Sequence, residues 1–175
     1  MKTKSSKKIK EKCKKIKLII TDVDGVLTDG GRYYGNKGEI LKKFHIHDGM
    51  GVNLLLRNKI PTIILTKEKS VITKKWAKDM NVSMVIWGAI KKESEIEKIE
   101  KKFMIQKSEM AFIGDDVNDV NVMEKVGFAV CPSDANPNVL PFVDFISTKK
   151  GGEGCFRDVA DLILSVKFPS IKKWY

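Results

Sequence analysis

Two short acidic clusters, each directly behind an apolar run, carry the chemistry this sequence can offer. The first is Asp22-Val23-Asp24-Gly25, after Leu-Ile-Ile-Thr; the second is Gly114-Asp115-Asp116-Val117-Asn118-Asp119, after Met-Ala-Phe-Ile. Within a strand Asp22 and Asp24 would point to opposite faces, but at a strand's end the chain can turn and bring both carboxylates into one crevice. Gly25 permits such a turn. A carboxylate is ionised at neutral pH, can attack phosphorus, and forms an acyl phosphate that water cleaves readily. Asp22 is therefore the candidate nucleophile. A second carboxyl, that of Asp24, can protonate the leaving oxygen and then activate water, which divides one hard displacement into two easier ones.

An anionic nucleophile facing a phosphate dianion is repelled unless a cation intervenes. If the two clusters end adjacent parallel strands, Asp22, Asp24 and Asp115 share one edge of the sheet, an oxygen-rich setting suited to Mg²⁺. The alternating oxygen ligands and distal Glu of a calcium loop are missing. Asp119 fits equally as an acid at a helix N-terminus, favoured by the dipole. Thr66, after Thr-Ile-Ile-Leu, and Lys92, after Met-Val-Ile-Trp, are a hydroxyl and an ammonium at strand ends that can hold phosphoryl oxygens, the lysine also restraining the nucleophile. Singly each is an ordinary strand-end threonine or helix-surface lysine; their order along the chain gives them weight. Lys91 competes with Lys92 for this role.

These residues need a scaffold that delivers strand ends side by side. Short apolar, β-branched runs alternate with stretches of helical period, which predicts an α/β, three-layer Rossmann-like domain around a mostly parallel sheet. The expected strands are Lys17–Thr21, Thr62–Leu65, Met84–Trp87, Met110–Gly114, Phe128–Val130 and Phe145–Ser147. The expected helices are Met50–Asn58, Ser70–Met80, Lys92–Phe103, Val117–Val126 and a last one carrying Val159, Leu162, Ile163 and Val166. Gly30–His47 breaks the alternation: two extended runs around Gly35-Asn36-Lys37-Gly38 read as a small β-hairpin inserted after the first strand, over the ligand-binding edge.

A chain of 175 residues, 42% of them hydrophobic, supports one such domain, expected over 16–175. The net charge of +11 raises nucleic-acid binding, but nine lysines lie in the first 17 residues and the others scatter without interleaved aromatics, so no nucleic-acid partner is expected. Residues 1–15 are expected to be a disordered basic segment. They lack the apolar core of a signal peptide, and no stretch is long and apolar enough for a membrane span. Cys13, Cys131 and Cys155 have no disulfide or metal-ligand spacing, which indicates a reducing, cytoplasmic setting.

The succession Asp-x-Asp-Gly, Thr, Lys, Gly-Asp-Asp-x-x-Asp, each after a strand, resembles the haloacid dehalogenase superfamily. DVDGVLTDG, YGNKGE, HDGMG, GDDVNDVNVMEKVG and GGEGCFRD, spanning about Ile16 to Val166, are similar to its minimal-cap branch, the 3-deoxy-octulosonate 8-phosphate and nonulosonate 9-phosphate phosphatases. The resemblance implies Asp22 as nucleophile and Asp24 as acid/base. It implies Asp22, the Asp24 carbonyl and Asp115 as Mg²⁺ ligands, Asp116 and Asp119 around them, and Thr66 and Lys92 on the phosphate. Glu68, Glu153, His47 and Asp48 would set specificity. It also implies a homotetramer in which a neighbouring subunit helps close each site, with Gly151–Gly154 near a site; the plain alternative is a flexible glycine turn.

Departures bear on the substrate. The octulosonate enzymes usually have Thr-Gly-Arg where this chain has Thr66-Lys67-Glu68, and an Arg where Glu153 stands. Carboxylates there accept hydrogen bonds from sugar hydroxyls, where an Arg would favour a sugar-acid carboxylate. This leans to a nonulosonate 9-phosphate, with octulosonate 8-phosphate as the alternative. A response-regulator receiver has the same residue types in another order, since no Asp follows Thr-Ile-Ile-Leu here. A catalytically idle partner of a sugar-nucleotide synthetase is a third reading, disfavoured because both aspartates are present.

Overall fold

The computed structural model describes residues 6–170; residues 1–5 and 171–175, the outer ends of the expected basic segment and of the expected domain, lie outside the described residues. In chain order the elements are α1 (Ser6–Lys15), β1 (Leu18–Thr21), β2 (Tyr33–Gly35), β3 (Gly38–Leu41), α2 (Ile46–Arg57), β4 (Thr62–Leu65), α3 (Val71–Asp79) and β5 (Met84–Ile86), then α4 (Ile96–Phe103), β6 (Met110–Ile113), α5 (Val120–Met123), β7 (Phe128–Cys131), β8 (Phe145–Ile146) and α6 (Cys155–Lys167). β1, β4, β6 and β7 are buried along their whole length, as strands covered on both faces must be. They belong to a six-stranded sheet of order β5-β4-β1-β6-β7-β8 in which every neighbouring pair is parallel.

Alternate residues of β1 serve opposite cores. Ile19 packs with Cys13 of α1, Val52 and Leu55 of α2, and Ile163 of α6. Leu18 and Ile20 pack with Ile96 and Ile99 of α4 and Val122 and Met123 of α5. Chain order runs outward from β1 in both directions, so its carboxyl end lies at the switch point where such sheets open a crevice. Asp22 is drawn alongside the end of β6 by its N–H, which donates to Ile113 O at 2.9 Å. The expected hairpin is the separate antiparallel pair β2-β3.

Three expectations need correction. Residues 6–15 are helical, not disordered: Ile9, Cys13 and Ile16 recur on one face and pack on the core, and Lys12 Nζ pairs with Asp144 at 2.5 Å. That i, i+4, i+7 spacing was present beneath the lysine-rich composition. α2 starts at Ile46, so His45–His47 leave the hairpin for a helix and its cap, with His45 Nδ1 accepting from His47 N. Residues 92–103 and 117–126 are not continuous α-helices: 3₁₀ turns at Lys92–Ser94 and Val117–Asp119 precede α4 and α5, and each presents a site residue. Among the described residues no helix is long and apolar enough to cross a membrane.

α2 carries two glycines, poor helix formers, because packing requires them. A Cβ on Gly51 would lie 3.3 Å from both the Arg157 Cα and the Phe156 ring of α6. Close by, the fully buried Asp48 accepts from Arg157 N at 2.8 Å, so a carboxylate of α2 satisfies the first turn of α6. Burial raises the Asp48 pKa to about 6, against the N–H groups of α6 that favour its charge. Asp48→Ala should cost about 1–3 kcal/mol in urea unfolding, by orphaning those N–H groups. A carboxyl whose pKa rises on folding stabilises the folded state most at low pH, and that contribution is lost as pH climbs through its folded value. The stability of wild type relative to Asp48→Asn should accordingly fall between pH 3.8 and about 6 and level off above.

Candidate active site

The site is assembled at the carboxyl ends of β1, β4, β5 and β6. The Thr21 hydroxyl donates to Asp22 O at 2.8 Å, a second anchor on the backbone that carries the Asp22 carboxylate. Beyond β5, the 3₁₀ turn buries Lys92, whose side chain is 1% exposed, and its Nζ lies 2.7 Å from both Asp22 Oδ2 and Asp119 Oδ1. Lys91 is exposed, which decides between the two lysines. The other oxygen of Asp119 accepts from Asp115 N at 3.1 Å, so one carboxylate fixes both the lysine and the loop after β6. Gly25, at φ +89°, lets that loop approach: a Cβ there would lie 2.1 Å from Asp115 Oδ2.

Asp22, Asp115 and Asp119 bring carboxylate oxygens within 4.8 Å of one another. Burial, and then the charge of Asp119, raise the Asp22 pKa to about 6 against the pull of Lys92. Burial and the charges of Asp22, Asp119 and Asp116 raise Asp115 to about 8. Burial also raises Asp119, whereas Lys92 is held above its ordinary value because two carboxylates outweigh the desolvation of its ammonium. One lysine does not neutralise this much negative charge. Asp22 Oδ1 is moreover buried with no hydrogen-bond partner. A hard, oxygen-seeking cation such as Mg²⁺ fits both facts.

Asp24 stands at the same cavity, of about 190 Å³, with Thr66, Glu68, Asp115 and Asp116. Thr66 is buried there, its N–H bonded to Ile86 O of β5. Asp116 Oδ1 accepts from Val117 N and from Asn136 Nδ2, which fixes it at the rim. Two residues at the site escaped the sequence reading. Arg32 lines the cavity and pairs with Glu68 at 2.8 Å, and Lys42, buried behind it, bonds Asp24 Oδ1. Both come from the hairpin and its flanks, where no spacing rule marks a residue that folds back onto the sheet edge.

Of the four expected specificity residues, only Glu68 reaches this cavity. His47 and Glu153 line a second one of about 490 Å³ with His45 and Arg157, and Asp48 is the buried cap of α6. The glycine segment is packed against the loop that follows β1: Gly152 N donates to Val26 O at 3.0 Å, and a Cβ on Gly151 would lie 2.0 Å from Gly25 O.

Residues 55–157 match the haloacid dehalogenase-like hydrolase family. The chain is 37% identical over 153 residues to the 3-deoxy-D-manno-octulosonate 8-phosphate phosphatase KdsC of Escherichia coli K12, covering 87% of this chain and 81% of that protein. The phosphatase of the same name from Moraxella catarrhalis, solved with magnesium, phosphate and KDO, superposes with a TM-score of 0.90 at 34% identity, over 93% of this chain and 94% of that one. A cobalt-bound relative from Haemophilus influenzae gives 0.87 at 34% identity, over 89% and 91%.

Lys92→Met would leave the Asp22 and Asp119 carboxylates buried without their shared counter-ion, a loss of about 3–5 kcal/mol if both stay charged. Taking up a proton relieves the repulsion, so the loss should be smaller at pH 5 than at pH 8. Urea midpoints for wild type and variant, in EDTA at the two pH values, check this. An equal loss at both would mean that charge is not what Lys92 balances.

Proposed function

The chain belongs to the haloacid dehalogenase-like hydrolases, and on that premise we propose that it is a Mg²⁺-dependent phosphatase of a 3-deoxy-2-keto sugar-acid phosphate, with octulosonate 8-phosphate as its leading substrate. The observation that carries the mechanism is the state of the two aspartates. Each is held by a buried lysine through one oxygen, Asp22 by Lys92 and Asp24 by Lys42, and each keeps its other oxygen buried and unbonded. Asp22 Oδ1 forms the bond to phosphorus as the bond from phosphorus to the sugar oxygen breaks, and that oxygen takes the proton carried by Asp24 Oδ2. Water then attacks the aspartyl phosphate, returns a proton to Asp24 and frees phosphate and Asp22. Asp22, Asp115 and the Asp24 carbonyl would hold the metal, flanked by Asp116 and Asp119. Bound Mg²⁺ supplies the screening that lets a carboxylate approach a phosphate dianion. Thr66 and Lys92 bind the phosphoryl oxygens.

The eight-carbon reading is supported by relatives that carry that substrate in their names and by the KDO bound to one of them. The nine-carbon reading keeps one support, the carboxylate of Glu68 in the catalytic cavity; Glu153 lies in the other cavity. A homotetramer closing the sites is supported by the hairpin, whose Tyr34 and Ile40 are 62% and 64% exposed. The three free cysteines, all buried, suit a cytoplasmic protein.

Phosphate release with Mg²⁺ should be fast from octulosonate 8-phosphate, slower from nonulosonate 9-phosphates, and abolished by EDTA. The reverse preference would favour the nine-carbon substrate, and no release from either would favour an idle partner protein. Asp22→Asn should lower kcat by at least about 10³-fold with the fold intact, because the amide is a poor nucleophile.

A further inference from the structure

Lys42 is the least expected residue at the site. It follows a hairpin whose apolar residues face solvent, yet its own side chain is wholly buried. Its ammonium bonds Asp24 Oδ1 and lies 3.3 Å from Glu39 Oε1. Glu39 is fixed in turn, accepting from the Ser70 hydroxyl at 2.5 Å, and Ser70 caps α3. On the other side, Phe44 bridges Thr28, and Thr28 N donates to Val23 O, so the segment carrying Lys42 is strapped to the loop carrying Asp24. The lysine is thus seated from two directions, by α3 and by the catalytic loop.

A lysine serving only to neutralise buried charge would be expected to leave no carboxylate oxygen of its partner stranded. Asp24 Oδ2 is left without a partner: it is buried and accepts no hydrogen bond from the protein, and, unlike Glu39 Oε1 and Asp48 Oδ2, which are likewise unbonded, it belongs to a residue that lines the cavity with Asp22. Free of Lys42, the Asp24 carboxylate could rotate and present either oxygen.

We propose that Lys42 is the positioning residue of the general acid: by holding Asp24 Oδ1 it aims Oδ2 at the leaving oxygen, and through Glu39 it makes that aim depend on how the hairpin is seated. The proposal rests on the phosphatase reading above, in which Asp24 delivers the proton. Its signature is leaving-group dependence. The sugar alkoxide must be protonated as it departs, whereas p-nitrophenolate departs without a proton. The ratio kcat/KM reports only steps up to that departure, so later hydrolysis of the phosphoenzyme does not mask the difference.

The test compares kcat/KM of wild type, Lys42→Met, Lys42→Gln and Lys42→Arg on octulosonate 8-phosphate and on p-nitrophenyl phosphate, with circular dichroism to identify the folded variants. Lys42→Met and Lys42→Gln should lose at least about 100-fold on the sugar phosphate, the range of general-acid catalysis, and less than about 5-fold on the aryl phosphate, with Lys42→Arg recovering part of the loss. An equal loss on both substrates in the folded variants, or no loss on either, overturns the proposal. Wild type inert on both overturns the phosphatase reading itself, before any variant is compared.

Discussion

One buried ammonium, that of Lys92, lies between two carboxylates, and the rest of the site is arranged around it. Its partners come from different strand ends: Asp22 follows β1 and Asp119 follows β6, while the lysine itself follows β5. Desolvating three charges is expensive, and their attraction compensates only if the geometry holds. That geometry depends on the parallel sheet, whose register aligns Thr21 with Ile113 on one side and Ile64 on the other. The same constraint accounts for the 3₁₀ turn at Lys92–Ser94, which buries Lys92 and leaves the lysine before it in solvent.

The balance is deliberately incomplete. Burial first, and then the neighbouring carboxylates that one lysine does not offset, push Asp115 up to about 8 and Asp22 up to about 6. Such a cluster of buried carboxylates favours a cation. Asp22 and Asp24 follow one design: a lysine takes one oxygen and leaves the other available. Fixing a carboxylate through one oxygen removes rotational freedom without occupying the other oxygen, which is how a positioned group gains over a free one.

Close backbone approach supports this arrangement from behind. Gly25 admits the Asp115 carboxylate, and Gly151 and Gly152 lie against the loop from Gly25 to Asp29. Through α6, which begins just beyond them and is capped by Asp48 of α2, the loop after β1 is tied to the helical layer on one face of the sheet. A glycine-rich segment that reads as a flexible turn is here a close-packed buttress.

The amino-acid order alone determined the class of fold and which acids, threonine and strand ends meet at the candidate site. Apolar four-residue runs ending in Asp22, Thr66 and Asp115 are local signals, because a strand buried on both faces must be apolar and its end must carry whatever the crevice uses. The helical stripe of Ile9, Cys13 and Ile16 was equally legible, though charge composition obscured it. Tertiary structure alone decided which lysine is buried, that Arg32 reaches the cavity and Lys42 meets Asp24, that Asp48 caps a distant helix, and that Glu153 and His47 face a second cavity. Each of these is a meeting of residues far apart in the chain, set by how a hairpin or helix lies on the sheet, and no local periodicity encodes that placement.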